Sequence, residues 1–456
     1  MSRRRHTPAG LLLANLALAL AYLATARLGM GLALVADNVT PVWPPAAIAL
    51  VALVLGRGRL VPGILAGALA AHLSTGLPVV TAVAMSLGNL GAGLLAAALL
   101  RRADFRPRLD RVRDVVALGM LAAVISTAVA ATAGVGAMWA AHLVHTDGLW
   151  AASHTWWAGD MVAELVLAPL LFLLLVPGGV PPLRGREVVH MAAVFAAGTA
   201  AAAIAISGDL AYLVFPVLAW GAVRFRQFGA AASGLLVAIV AVLLTANGIG
   251  DFADDWLQQD VTRSQMFMGV AAVSALLLAA MKDELLTSQT HALTDALTGL
   301  ANRRGWELEL AHQEEAGRRG RRSFSIVLLD LDGFKAYNDA HGHQAGDRLL
   351  REVAGAWADR LRATDVLARF GGDEFGVVLA GCDLGAAEGL SAQLRAATPD
   401  GCGVSTGCAW WDGQESVHAV VARADRALYA AKADRGRLAV PAAQARRESA
   451  ALAAAA

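Results

Sequence analysis

Arg369 to Leu379 read RFGGDEFGVVL. Two glycines and two acids sit between an apolar approach (Val366, Leu367) and an apolar exit (Phe375, Val377, Val378, Leu379). Strand, Gly-Gly turn, strand is the pattern of a β-hairpin. The turn carries Asp373 and Glu374, and Gly371 and Gly372 let a ligand approach the backbone because no Cβ stands in the way. Adjacent acids at such a turn repel each other and gain no burial. They make sense as holders of a cation, such as Mg²⁺ on a nucleotide phosphate. Taken alone, the stretch reads equally well as a solvated acidic turn.

Outward from the hairpin, composition divides the chain. Of 456 residues, 57% are hydrophobic, more than an ordinary soluble protein carries along its whole length. The excess lies in residues 10–281, built of long Ala/Leu/Val runs, whereas 282–440 has the mixed charge of a soluble domain. The expected organisation is a basic N-terminus (1–9), a polytopic membrane region (10–281), a connecting helix (282–294), a soluble domain (295–440) and an Ala-rich tail (441–456). The first apolar run reaches about Val35, too long for the core of a signal peptide, so it is read as an anchor. Cys382, Cys402 and Cys408 fit no metal-site spacing and are read as small core residues in a reducing compartment.

Apolar segments fall near 10–35, 42–56, 60–78, 79–100, 115–142, 156–176, 188–206, 209–223, 229–247 and 264–281. These make eight to ten spans, since the second and eighth are short for the roughly 20 residues a straight crossing needs. Arginines decide the parity. Arg3 to Arg5, Arg57 and Arg59, the run Arg101 to Arg113, Arg184 and Arg186, Arg224 and Arg226, and then Lys282 occupy alternate loops. Asp37, Asp147, Asp209, Asp251, Asp254, Asp255 and Asp260 occupy the others, and only Arg27 and Arg263 break the pattern. The positive-inside rule then puts both termini in the cytoplasm. Within the spans, Asp160 and Glu164 share a helix face, and Asn89 and His72 lie at membrane depth. A ligand pocket and helix-to-helix hydrogen bonding both explain such groups. Trp156 and Trp157 put Asp160 near a membrane surface. The segments WPPAAI (43–48), LGN (87–89) and WWAGD (156–160), with Phe215-Pro216 and Trp220, resemble the MASE type of membrane-associated sensor domain, which precedes bacterial signalling output domains.

The soluble part reads βααββαβα from Ser325 onward, helices on an antiparallel-rich sheet. Leu285, Leu286, Leu293 and Leu297 suit a helix leaving the membrane, one that either pairs with its own copy or simply connects. SIVLLDL (325–331) is a buried strand ending in Asp330, so three carboxylates could meet at one edge as a cage for divalent metal on a triphosphate.

DALTGLANRR (295–304), LLDLDGFKAYNDAHGHQAGD (328–347), RATD (362–365), RFGGDEF and ALYAAK (427–432) together resemble the GGDEF family, the diguanylate cyclases. The fold this implies is a multi-pass α-helical membrane domain followed by an α/β (α+β sandwich) GGDEF domain related to the palm of nucleotide cyclases and polymerases. The reaction implied is condensation of two GTP to cyclic di-GMP with loss of two pyrophosphates, in a homodimer joined through the cyclase domain and the connecting helix. The resemblance also implies Mg²⁺ or Mn²⁺, two per GTP site, held by Asp330, the Leu331 carbonyl and Asp373. Glu374 takes the second metal or assists proton transfer. Asn338 and Asp347 would bond the guanine edge, and Phe334, Lys335, Gly371, Gly372 and Lys432 the phosphates. Arg362 and Asp365 match a product-inhibition site. Lys432-Ala-Asp-Arg435-Gly436-Arg437 is one residue longer than the family pattern, so either Arg435 or Arg437 would reach phosphate.

The expected location is a bacterial inner membrane, in contact with lipid and not with nucleic acid. A catalytically silent GTP or cyclic-di-GMP receptor is the alternative, disfavoured because none of the signature acids is missing. A transporter is disfavoured by the absence of repeated broken helices. A phosphodiesterase is disfavoured because no second domain is expected after residue 440.

Overall fold

The computed structural model describes residues 8–31, 42–56, 58–182, 185–252, 257–320, 323–399 and 402–434. Arg3 to Arg5, Asp37, Arg57, Arg184, Asp254, Asp255, Arg435 and Arg437 lie outside the described residues. The chain forms two compact units, Met1–Leu285 and Leu286–Ala456.

The first unit is all helix: α1 (Pro8–Gly31), α2 (Pro44–Gly56), α3 (Val61–Leu73), α4 (Val79–Arg102), α5 (Val112–Ala140), α6 (Leu149–Leu175), α7 (Arg186–Ser207) and α8 (Val214–Ala246). It ends in α9 (Leu257–Leu293), which continues beyond the unit boundary. Among the described residues, seven helices are long and apolar enough to cross a membrane, and α2 and α3 are shorter apolar ones. Leu118, Val162, Phe172, Val214 and Leu276 are in the core, while Leu12, Leu16, Val80 and Ile204 are exposed. An exposed apolar coat of this kind suits lipid and not water.

Two helices depart from the straight spans that apolar runs suggest. α5 is π-helical over Leu118–Ser126. α8 reverses direction at Arg226, whose φ of 57° and ψ of −143° are not helical. A Cβ built on Gly229 would lie 2.1 Å from the Gly221 carbonyl oxygen. Eight residues of straight helix would separate those groups by about 12 Å, so α8 is a tight helical hairpin of arms 214–225 and 227–246. The arms correspond to the two segments drawn at 209–223 and 229–247. Its turn is tied to the base of α9, because Arg226 Nε donates to Asp283 Oδ1 at 2.7 Å.

Asp160 lies inside the 27-residue α6 and is buried. Trp157 reaches sideways, its indole donating to the Val124 carbonyl of the π-helical stretch at 3.0 Å.

The second unit is a five-stranded sheet in the order β1-β3-β4-β2-β5. Its strands are β1 (Ala301–Asn302), β2 (Phe324–Asp332), β3 (Val366–Gly371), β4 (Glu374–Ala380) and β5 (Gly403–Trp411). The helices are α10 (Arg303–Gly320), α11 (Phe334–His341), α12 (His343–Ala358), α13 (Leu384–Ala397) and α14 (417–434). β2 is an inner strand, buried on both faces because nearly every residue from Phe324 to Leu331 is apolar. Alternation splits those residues between two cores. Val327, Leu329 and Leu331 pack with Leu350, Val353 and Trp357 of α12. Phe324, Ile326 and Leu328 pack with Trp306 and Leu310 of α10 and Val420 and Ala424 of α14. Trp357 is fully buried, and its indole donates to the Leu394 carbonyl at 2.9 Å. Cys382, Cys402 and Cys408 are free and pack against the first of these cores.

Candidate active site

The hairpin β3–β4 turns through Gly372 and Asp373, with Gly371 paired to Glu374. Gly371 (φ 144°) and Gly372 (φ 55°) adopt backbone that side chains disfavour. β4 then runs antiparallel to β2, placing Glu374 opposite Asp330, and the Leu331 N–H donates to the Asp373 carbonyl at 3.2 Å. Thus Asp330, Asp373 and Glu374 belong to one sheet edge. Asp330 is buried while Glu374 is exposed. Burial pushes the Asp330 carboxyl above its usual range, and repulsion from Asp373 and Glu374 adds to this. Lys432, whose Nζ lies 2.6 Å from Asp330 Oδ2, opposes it.

The hard-oxygen donor set and the clustered negative charge fit Mg²⁺ or Mn²⁺. Among the described residues no three His, Cys, Asp or Glu side chains gather tightly enough to enclose a metal alone. That suits a small cation whose shell substrate phosphates and a main-chain carbonyl complete.

Beyond β2, Gly333 (φ 72°) opens α11 without a side-chain cap. Lys335 is exposed in the first turn, and the Phe334 ring is buried in the core. Only the Phe334 backbone is therefore free to meet a phosphate. Asn338 lies under the start of α12, where a Cβ on Gly346 would fall 1.8 Å from Asn338 Oδ1. That oxygen is buried without a hydrogen-bond partner. Asp347, one residue past Gly346, is exposed.

Sequence reading missed the part that holds the turn. Arg369 Nη1 donates to both oxygens of Asp295 at 3.0 Å, and its Nε and Nη2 donate to the Gly372 carbonyl at 3.0 and 2.8 Å. Burial would push the Asp295 carboxyl up, but hydrogen bonds from Thr298 and Arg369 outweigh it and hold the group below the usual range. Asn302 Nδ2 donates to the Ala292 carbonyl at 3.0 Å, so the end of α9 is fastened beside the same pair. The available signal was Asp295 in DALTGL and Arg369 before the glycines, 74 residues apart.

Arg362 and Asp365 form a small turn away from the acids. Asp365 Oδ2 accepts from the Arg362 N–H, and the Asp365 N–H donates to the Arg362 carbonyl, both at 3.0 Å. The exposed Arg362 guanidinium makes no ion pair with Asp365.

An apolar helical bundle followed by a soluble nucleotide-type α/β site defines a multi-pass membrane signalling protein. The MASE1 family model matches residues 14–285, and the model described as "Diguanylate cyclase, GGDEF domain" matches 292–437. The chain belongs to the MASE1 family and carries a GGDEF domain after the MASE1 region. Diguanylate cyclase DgcP of Pseudomonas aeruginosa is 42% identical over 174 residues, covering 35% of this chain and 26% of that protein. Diguanylate cyclase DgcS of Shewanella oneidensis is 37% identical over 164 residues, 34% of this chain and 54% of that protein. The chain therefore spans from about a quarter to about half of these relatives' length. The coiled coil and GGDEF domain of DgcB from Caulobacter crescentus, solved with c-di-GMP, is 30% identical with a TM-score of 0.32, covering 34% of this chain and 87% of that one.

Proposed function

We propose that the chain is a membrane-bound diguanylate cyclase that condenses two GTP to cyclic di-GMP. The observation that carries this is the register of β2 and β4, which sets Asp330 against Glu374 with Asp373 in the intervening turn. A divalent ion held by Asp330, the Leu331 carbonyl, Asp373 and Glu374 would polarise the α-phosphate and neutralise the leaving pyrophosphate. The unpartnered Asn338 oxygen and exposed Asp347 suit the donors on a guanine edge. Gly371, Gly372, the open start of α11 and Lys335 suit the phosphates. Lys432 holds Asp330 until a cation replaces it, and is then free to swing to phosphate.

One site takes one GTP, so two domains must face each other. Homodimerisation is therefore part of the reaction, and exposed Leu285 and Leu286 on α9 offer a helical contact for it. We take both termini as cytoplasmic, the MASE1 region as the input, and Arg362 with Asp365 as a product site. The free Arg362 guanidinium supports that last reading over a surface ion pair.

The test is to supply purified full-length protein with GTP and Mg²⁺. One cyclic di-GMP and two pyrophosphates per two GTP are expected, stopping when EDTA removes the metal. Unchanged GTP, or a product other than cyclic di-GMP, would overturn the proposal. A second assay adds cyclic di-GMP. Arg362→Ala should keep its activity and lose product inhibition, and inhibition curves that match the parent would exclude the site.

A further inference from the structure

The membrane half encloses a second polar site, distant in sequence from the cyclase motifs. Tyr22 of α1, Trp43 before α2, Asn89 of α4, Thr127 of α5, and Asp160 and Glu164 of α6 line one small cavity. Asp160 is 3% and Glu164 4% exposed. Asp160 Oδ1, Glu164 Oε2 and Asn89 Oδ1 are each buried without a hydrogen-bond partner. His72, which shared the same ambiguity in the sequence, differs. Its ring bonds Ser86 Oγ at 3.0 Å, so helix packing accounts for it.

The three unpartnered atoms are all acceptors. The Ser126 and Thr127 hydroxyls do not serve them, because Ser126 donates to the Ala92 carbonyl and Thr127 to that of Ala123, while the Tyr22 hydroxyl meets the Asn89 side chain. No Lys, Arg or His is among the lining residues. Two acids in a helical bundle without a counter-charge are costly, and such groups mark ligand or ion pathways. Trp43 and Tyr22 add aromatic surface of the kind that takes cations on its face. The wall is also positioned from outside the cavity. The Trp43 N–H donates to the Gly159 carbonyl, next to Asp160, at 3.2 Å, and the π-helical stretch of α5 ends at Ser126 on the wall. π-helical turns recur at functional sites.

We propose that this cavity binds a small organic cation, an alkylammonium or alkylguanidinium, through Asp160, Glu164 and Asn89, and that this is the input of the membrane domain. The inference rests on reading the MASE1 region as the cyclase's sensor, but its test does not require cyclase activity. Binding is read as the thermal unfolding midpoint of full-length protein in detergent, titrated with n-butylammonium or n-propylguanidinium chloride. Potassium chloride keeps the ionic strength constant, and n-butanol is the neutral control. A saturable rise with at least one cation and none with n-butanol is expected. Glu164→Gln and Asp160→Asn should each weaken the apparent affinity by at least roughly tenfold, since each removes the partner of a buried charge. Asn89→Leu, which leaves both acids in place, should also weaken it, and it serves if an acid variant does not fold. No saturable rise with either cation, an equal response to n-butanol, or unchanged affinity in the variants that fold would each overturn the proposal.

Discussion

Arg369 is the residue on which the acidic turn hangs. Its guanidinium spans Asp295 and the Gly372 carbonyl, and its side chain is only 11% exposed. Asp295→Ala would leave that largely buried guanidinium short of an acceptor, costing about 1–3 kcal/mol. It should lower the melting midpoint and reduce turnover together; a variant with parental midpoint and rate would show that the pair holds nothing. The depressed Asp295 value carries a sign. Its stabilisation is present above the unfolded-state value and is lost as pH falls through the folded one, so parent and variant should converge in stability in acid. Asp330 runs the other way. Its raised value favours the neutral form, so that contribution is present below the unfolded-state value and lost as pH rises. Asp330→Asn should therefore melt no lower than the parent at neutral pH while losing activity, which calorimetry beside a GTP assay checks. Asp330, Asp373, Glu374, Asn338 and Asp347 were legible because each lies in a local motif. The Asp295–Arg369 pair was not, because only the fold brings two such distant residues together.

At the scale of elements, α8 shows what apolar runs reveal and what they hide. The break at 224–228 was visible as arginines between two runs, but not that the chain folds back on itself there. Gly221 and Gly229 permit the close approach, and Arg226 takes the left-handed turn. Its partner Asp283 is 5% exposed as a side chain whereas Arg226 is 61% exposed. The two deletions should therefore differ. Arg226→Ala strands a buried charge and should cost about 3–5 kcal/mol. Asp283→Ala leaves an arginine that water can solvate and should cost less. Thermal unfolding in detergent reads both, and equal losses would contradict the asymmetry. In the soluble domain β2 and the β3–β4 hairpin fell within about a residue of their sequence-read bounds, because they are apolar runs closed by glycine or acid, whereas the two-residue β1 was not read at all. The cavity between α1, α2, α4, α5 and α6 was half legible. Asp160 and Glu164 shared a face on paper, but the other walls come from helices distant in sequence, which only the fold brings together.

At the scale of the molecule, one continuous helix, α9, runs from the apolar helical unit into the soluble one. Asp283 of α9 is held in the first unit by the α8 turn. In the second, Asn302 and the Asp295–Arg369 pair fasten its end beside the acidic hairpin. In the homodimer proposed above, a change in how two copies of α9 meet would alter how two GTP sites face each other. The proposed topology is open to reporter fusions after Arg113 and after Asp255, which should report opposite sides of the membrane; the same side for both would refute it. The central claim remains that the acidic hairpin makes cyclic di-GMP. Its most direct test compares full-length parent and Asp373→Ala for product formed from GTP and Mg²⁺, with melting midpoints measured alongside. The account predicts an unchanged midpoint and product reduced at least roughly a hundredfold, the scale of losing an electrostatic contact to the transition state. Near-parental turnover in Asp373→Ala would contradict it.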